Sequence, residues 1–209
     1  MTQALSPDRR RFTVEEYLKI DSDSQIRHEF VQGQIIDMAG GSDRHSQIIH
    51  NVHGSLWARL RGKPCQGRDG NLRVRFGRKV IYGYPDALIV CGPPEFDPVA
   101  AGNTTLLNPR VLIEVLSETT EAYDRGLKFE RYREIESFEE YVLIAQDRPS
   151  VEVYRRQPSG LWTLQPYLGV EASAGIFSAG IELPLSEIYA SIDFPPETQL
   201  ESTPTGGAE

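Results

Sequence analysis

Two carboxylates stand where a folded chain rarely tolerates them. Glu114 interrupts the run Val111-Leu-Ile-Glu-Val-Leu116, and Asp86 leads directly into Ala87-Leu-Ile-Val90. A carboxylate inside a buried strand costs several kcal/mol to desolvate unless it is paired, protonated or bound to a cation. Two such groups at the ends of neighbouring core strands can converge on a hard divalent cation, which takes oxygen ligands and keeps waters for chemistry. Each has a plainer alternative: Glu114 as partner of a buried arginine or lysine, and Asp86 as a turn aspartate satisfied by backbone N–H groups. Further along, Asp124, Lys128 and Tyr132 recur at i, i+4 and i+8 and share one helix face to within about 40°. If that face looks at the carboxylates, Lys128 can polarise an attacking water or stabilise charge developing on a phosphate. Otherwise Asp124 and Lys128 are an exposed helix pair.

Two other groups of residues invite a reading. His45, His50 and His53 fall within nine residues, and His50 and His53 share a face. No adjoining carboxylate or cysteine pattern completes a zinc site, so these two read as surface or partly packed groups. Between residues 59 and 79 lie Arg59, Arg61, Lys63, Arg68, Arg73, Arg75, Arg78 and Lys79, opposed by Asp69 alone. This stretch is either a solvated face or a ridge that meets a polyanion. Within it Leu72, Val74 and Phe76 alternate with Arg73 and Arg75, which predicts a strand with one buried and one cationic face.

These side chains need elements to carry them. Phe12-Thr-Val-Glu-Glu-Tyr-Leu18 reads as a helix with Thr13 as its cap and Glu16 as capping-box partner. Arg27-His-Glu-Phe-Val31, a Gln32-Gly33 turn and Gln34-Ile-Ile-Asp-Met38 predict a hairpin. Ile48, Ile49, Val52, Leu56, Trp57 and Leu60 recur at helical spacing over 43–60. Strands are expected over 72–76, 80–82, 86–90, 110–116, 141–145, 151–154 and 161–168, with a helix over 121–136 and a strand end and short helix over 181–190. The nearly continuous apolar run at 110–116 marks a strand buried on both faces. Helices flanking a mixed β-sheet make an α/β (α+β) architecture.

Composition bounds the rest. The 209 residues are 39% hydrophobic and 25% charged, which supports one real core over 12–192 and excludes a disordered chain. Residues 1–11 read as a flexible arm and 193–209, rich in Pro, Thr, Gly and Glu, as a disordered tail. No apolar run approaches a membrane span, and no signal-peptide core opens the chain. Cys65 and Cys91 are too few for a disulfide framework and fit a reducing cytoplasm. A net charge of −8 argues against bulk coating of nucleic acid.

Tyr84-Pro-Asp86, Val111-Leu-Ile-Glu-Val-Leu-Ser117, Asp124-Arg-Gly-Leu-Lys128, Tyr132, and Tyr141-Val-Leu-Ile144 followed by Val151-Glu-Val-Tyr154 together resemble the Uma-two family of restriction-endonuclease-type proteins, within the PD-(D/E)XK nuclease superfamily. The likeness extends to the helix at 12–18, the hairpin at 27–34 and His45 at the head of the long helix. It implies a restriction-endonuclease-like core and a metal-dependent DNA endonuclease using Mg²⁺ or Mn²⁺. Asp86 and Glu114 would be the metal carboxylates, Glu29 a further acid at the metal shell or else an exposed hairpin residue, and His45 a polar helper. Leu116 occupies the position where the superfamily pattern has lysine, so the resemblance implies that Lys128 supplies the ammonium from the next helix. Arg73, Arg75, Arg78 and Lys79 would meet the DNA backbone, and a homodimer is implied. The alternative is a catalytically silent nucleic-acid- or protein-binding module on the same scaffold.

Overall fold

Thr13 begins the first helix by a reciprocal exchange. Its hydroxyl accepts from the Glu16 N–H, and the Glu16 carboxylate accepts from the Thr13 N–H, at the head of α1 (Val14–Asp23). The computed structural model describes residues 10–38, 40–77 and 80–194. Next come β1 (His28–Val31) and β2 (Gln34–Asp37), joined by Gln32 and Gly33 at φ 51° and 89°. Two positive φ values give the turn whose twist matches paired strands. Ser42 caps α2 (Asp43–Leu60), which buries Ile48, Val52, Leu56 and Leu60.

The chain then lays down β3 (Cys65–Asp69), β4 (Arg73–Phe76), β5 (Ile81–Gly83), β6 (Ala87–Cys91), β7 (Thr105–Leu106) and β8 (Val111–Val115). A helical segment follows as α3 (Glu121–Tyr123), a π turn (Asp124–Lys128) and α4 (Phe129–Tyr132). The rest is β9 (Glu140–Ile144), β10 (Ser150–Arg156), β11 (Trp162–Leu168), β12 (Ser173–Ile176), β13 (Ile181–Pro184) and α5 (Leu185–Ile188).

The central sheet has the order β11-β10-β9-β8-β6-β3, with β8 and β9 parallel and its other pairs antiparallel. Side-chain alternation on β6 and β8 divides the core. Ala87, Ile89, Val111 and Ile113 face α2, α5 and the β12–β13 hairpin. Leu88, Val90 and Leu112 face the opposite way, against Tyr132 and a second sheet of order β2-β1-β5-β4-β7. Tyr17, Phe30 and Tyr82 pack α1 onto the outer face of that second sheet. This is the mixed sheet between helices that the sequence predicts.

Several expectations are corrected. Arg73 is buried at 5% exposure, hydrogen-bonded to Asp21 at 2.5 Å and Thr105 at 2.8 Å, with its guanidinium over Tyr17 and Tyr82. Alternation shows that two strand faces differ; it does not show that one is wet, and here α1 covers the second face. Arg75 reaches Asp97 at 3.2 Å, and Arg59 is held by Glu187 at 2.6 Å. Arg78 and Lys79 lie outside the described residues. The expected ridge is therefore broken: Arg73 is an internal cation, not a backbone contact.

The two cysteines stand opposite each other on β3 and β6 and form a disulfide, which removes their support for a reducing compartment. Strand β3 went unexpected because Cys-Gln-Gly-Arg-Asp has no apolar alternation. The helix expected over 121–136 is regular only in part and ends at Tyr132. At the N-terminal end, Arg10 pairs with Glu16 and Arg11 donates to the Gln32 carbonyl, while residues 1–9 lie outside the described residues. Phe194, from the expected tail, packs on Tyr189; residues 195–209 lie outside the described residues. Among the described residues no helix is long and apolar enough to cross a membrane.

Candidate active site

The β6–β8 register pairs Ala87 with Ile113, so its next step sets Asp86 across from Glu114. Glu114 continues the series from Leu112 and projects toward the helical segment at 121–132, where Lys128 and Tyr132 meet it. Asp86 Oδ2 accepts the Val115 N–H at 2.7 Å, which ties the aspartate to the end of β8. His45 approaches the same strand end from α2. Its Nε2 lies 3.1 Å from the Val115 carbonyl oxygen and 3.4 Å from Asp86 Oδ2, so an Nε2–H donates toward both. A Cβ on Gly41 would stand 2.5 Å from His45 Nδ1, so a larger residue there would have to displace the ring.

Glu114 is 3% exposed and is met by two donors on one oxygen. Lys128 Nζ lies 2.8 Å from Oε1, and the Tyr132 hydroxyl donates to Oε1 at 2.9 Å. Lys128 also reaches Asp124 at 3.3 Å and Glu29 at 3.7 Å, and the Tyr123 hydroxyl donates to Glu29 at 3.3 Å. The π turn carries both Asp124 and Lys128 inward, a helical irregularity that recurs at functional sites. Gly83 makes room for this cage, because a Cβ there would come within 3.1 Å of both Glu29 Oε1 and the Phe76 ring.

One ammonium thus serves three buried carboxylates. Burial pushes Glu114 well above the usual carboxylate range, with Asp124 and Asp86 adding to it and Lys128 opposing. Glu29 is raised for the same first reason, and again Lys128 opposes. Burial alone would pull Lys128 down, yet Glu114, Tyr132, Asp124 and Glu29 together push it well up, so it stays charged. His45 is likewise pulled down by burial but raised overall by Asp86, the Val115 carbonyl and Asp124.

Glu29, Glu114 and Lys128 therefore sit together, with Asp86 and His45 joined to them at the strand end. Glu29 is neither exposed nor on a free hairpin edge. Arg73 stands apart in its own network with Asp21, Tyr84 and His28. Tyr123 and Gly83 were not visible as site residues, since neither belongs to a spacing pattern. Among the described residues no three histidine, cysteine or acidic groups assemble as a ready metal cluster, and His50 is exposed. The donor set suits a hydrated hard cation all the same. The contacts above fall on Asp86 Oδ2 and Glu114 Oε1, which leaves the second oxygen of each carboxylate clear of them. Mg²⁺ binds through one or two carboxylates and keeps several waters, whereas zinc prefers nitrogen and sulfur.

The family model Uma2, described as “Putative restriction endonuclease”, matches residues 14–186. Two proteins of Synechocystis sp. (strain PCC 6803) are similar over most of their length. The uncharacterized protein slr1290 is 28% identical over 88% of this chain and 94% of its own, and sll1609 is 30% identical over 77% and 89%. A crystal structure from Anabaena variabilis ATCC 29413, described as a “putative nuclease belonging to DUF820”, aligns with a TM-score of 0.65. It covers 85% of this chain and 97% of that one at 19% identity, a likeness of fold.

Proposed function

The chain belongs to the Uma2 restriction-endonuclease family, and from that membership we propose that it is a divalent-metal-dependent endonuclease that hydrolyses phosphodiester bonds in DNA. One observation carries the reading: a buried lysine and a tyrosine hold a single oxygen of Glu114, on the strand position across from Asp86. Buried acids arranged this way are expensive to maintain for stability alone.

Asp86 and Glu114 would hold Mg²⁺, with Mn²⁺ as a substitute. Bound there, the ion lowers the pKa of a water and offsets charge on the scissile phosphate. The chain's own residues do the rest. Lys128 and Tyr132 fix the rotation of Glu114, so that Oε2 is the oxygen left to a ligand. The Val115 N–H and His45 fix Asp86 in the same way. Asp124 and Glu29 keep Lys128 charged and aimed, which makes it an electrostatic and positioning group and not a free base. Arg75, partly exposed beside Asp97, remains a candidate backbone contact. DNA as partner and a homodimer belong to the same reading; action in the cytoplasm rests on the family alone, since the Cys65–Cys91 disulfide does not favour it.

Incubation of the purified chain with plasmid, linear duplex, single strand and RNA, with Mg²⁺ or with chelator, tests it. DNA cleavage that requires the ion is expected. Binding without cleavage in every divalent metal would point to the silent module.

A further inference from the structure

Arg27 is an exposed cation that no carboxylate claims. Arg59, Arg75 and Arg125 each face an acid at 3.2 Å or less, and Arg73 is buried on Asp21. Arg27 instead donates Nη1 to the Gly70 carbonyl and lays its guanidinium 5.7 Å over the Tyr84 ring. Asp69, the acid of the same turn, accepts from the Asn71 backbone N–H on one oxygen and from the Asn71 side-chain amide on the other. Among the described residues Arg27 has no ion-pair partner, in a chain of net charge −8.

The fold sets this guanidinium beside the candidate site. The β3–β6 register pairs Asp69 with Ala87, so its next step brings Gly70 across from Asp86. A Cβ on Gly70 would lie 3.1 Å from the Pro85 carbonyl oxygen, 3.2 Å from that of Asp86 and 3.4 Å from Arg27 Nη1. One glycine therefore separates the guanidinium from the backbone that carries the carboxylate. Glu29, two residues further along, packs against Gly83, so Arg27 and Glu29 bracket the segment that ends in Asp86. Across the sheet at this level the order is Glu114, Asp86, Gly70, with neighbours about 4.8 Å apart, and Arg27 is bonded to the last of the three.

We propose that Arg27 binds substrate: its guanidinium grips the phosphate next to the scissile one and so sets the DNA backbone over Asp86 and Glu114. This rests on the nuclease reading above. Nη1 is spent on Gly70, which leaves the Nε–Nη2 edge clear of protein contacts, and that edge is the fork that takes two oxygens of one phosphate. The Gly70 carbonyl and the Tyr84 ring hold the fork in place before substrate arrives, so little side-chain freedom is left to lose on binding. Successive phosphates of one strand rise about 3.4 Å along the duplex, a step comparable with one strand spacing in the sheet. The scissile phosphate and its neighbour therefore fit the metal carboxylates and Arg27 together.

Wild type, Arg27→Gln and Arg27→Lys are compared for duplex binding over a range of salt, with Ca²⁺ in place of Mg²⁺, and for cleavage with Mg²⁺. Arg27→Gln should flatten the slope of log affinity against log salt by about one unit, and Arg27→Lys should keep the wild-type slope, since the slope counts phosphates neutralised. An arginine that only braced the Gly70 turn would leave the slope unchanged in both variants. In a duplex with one uncharged methylphosphonate linkage, wild-type cutting at the adjoining bond on one side should slow about 10- to 100-fold, and Arg27→Gln should not sense the linkage. An unchanged slope in Arg27→Gln, or a variant that still senses the linkage, would overturn the proposal. A wild type that binds duplex with the Arg27-dependent slope and cuts nothing would overturn the nuclease reading and keep the phosphate contact. A wild type without affinity for duplex would overturn both.

Discussion

Removing the Lys128 ammonium would leave Glu29, Glu114 and Asp124 facing one another without a cation. Lys128→Ala should cost about 3–5 kcal/mol of stability, so its loss of activity would be partly a loss of fold, contrary to what an exposed or half-exposed lysine would allow. Tyr132→Phe separates the two effects. The ring keeps its packing on Phe76, Phe138 and Tyr141, and only the hydrogen bond to Glu114 is lost. Mn²⁺ affinity, read by calorimetric titration, should fall about 10- to 100-fold with little change in melting temperature. Unchanged affinity would make Tyr132 a packing residue.

Protonation adds a second residue-scale test. Glu29 and Glu114 are raised in the fold and His45 is raised as well. Each therefore binds protons more tightly folded than unfolded. The stability they contribute is fully present below their unfolded values, about 4.3 for the acids and 6.5 for the histidine, and is lost as pH rises through the higher folded values. The metal-free chain should thus show a lower urea midpoint at pH 8 than at pH 5, and Glu29→Gln should shrink the difference. A midpoint that rises over this interval would contradict the cage.

At the scale of elements, Arg73 on β4 belongs to the packing between α1 and the second sheet. Arg73→Met strands Asp21 beside Tyr84 and should destabilise the fold by about 3–5 kcal/mol in chemical denaturation. Stability equal to wild type would return this arginine to the surface. The contrast shows what the sequence carries and what it does not. Local chemistry is legible: the Thr13–Glu16 cap, the Gln32-Gly33 turn and the buried run around Glu114 appear where their spacing predicts, as does the apolar stripe of α2 except at Trp57, which is 66% exposed. What covers a strand face is not local, so Arg73 read as cationic surface and Asp21 drew no attention. The π turn at Asp124–Lys128 is equally hidden, because i, i+4 spacing looks the same in a regular helix and in one with an extra residue. Tyr123 and Gly83 gain meaning only from Glu29, distant from both in sequence.

Across the whole molecule, one sheet carries the carboxylates at its centre, the disulfide at its β3 edge and the apolar strand β11 at the other. Reducing Cys65–Cys91, which closes a loop across 26 positions, should lower unfolding stability by at most about 3–4 kcal/mol, measured by denaturation with and without reductant. The centre of the sheet is where the account stands or falls. Single-turnover cleavage of duplex DNA in saturating Mg²⁺ should be compared for wild type, Asp86→Asn and Glu114→Gln, each checked for fold. Both substitutions keep side-chain size and remove an anionic oxygen donor, so the rate should fall by a factor on the order of 10² or more in each. Cleavage by either variant at the wild-type rate would contradict the assignment of these two carboxylates to phosphodiester hydrolysis.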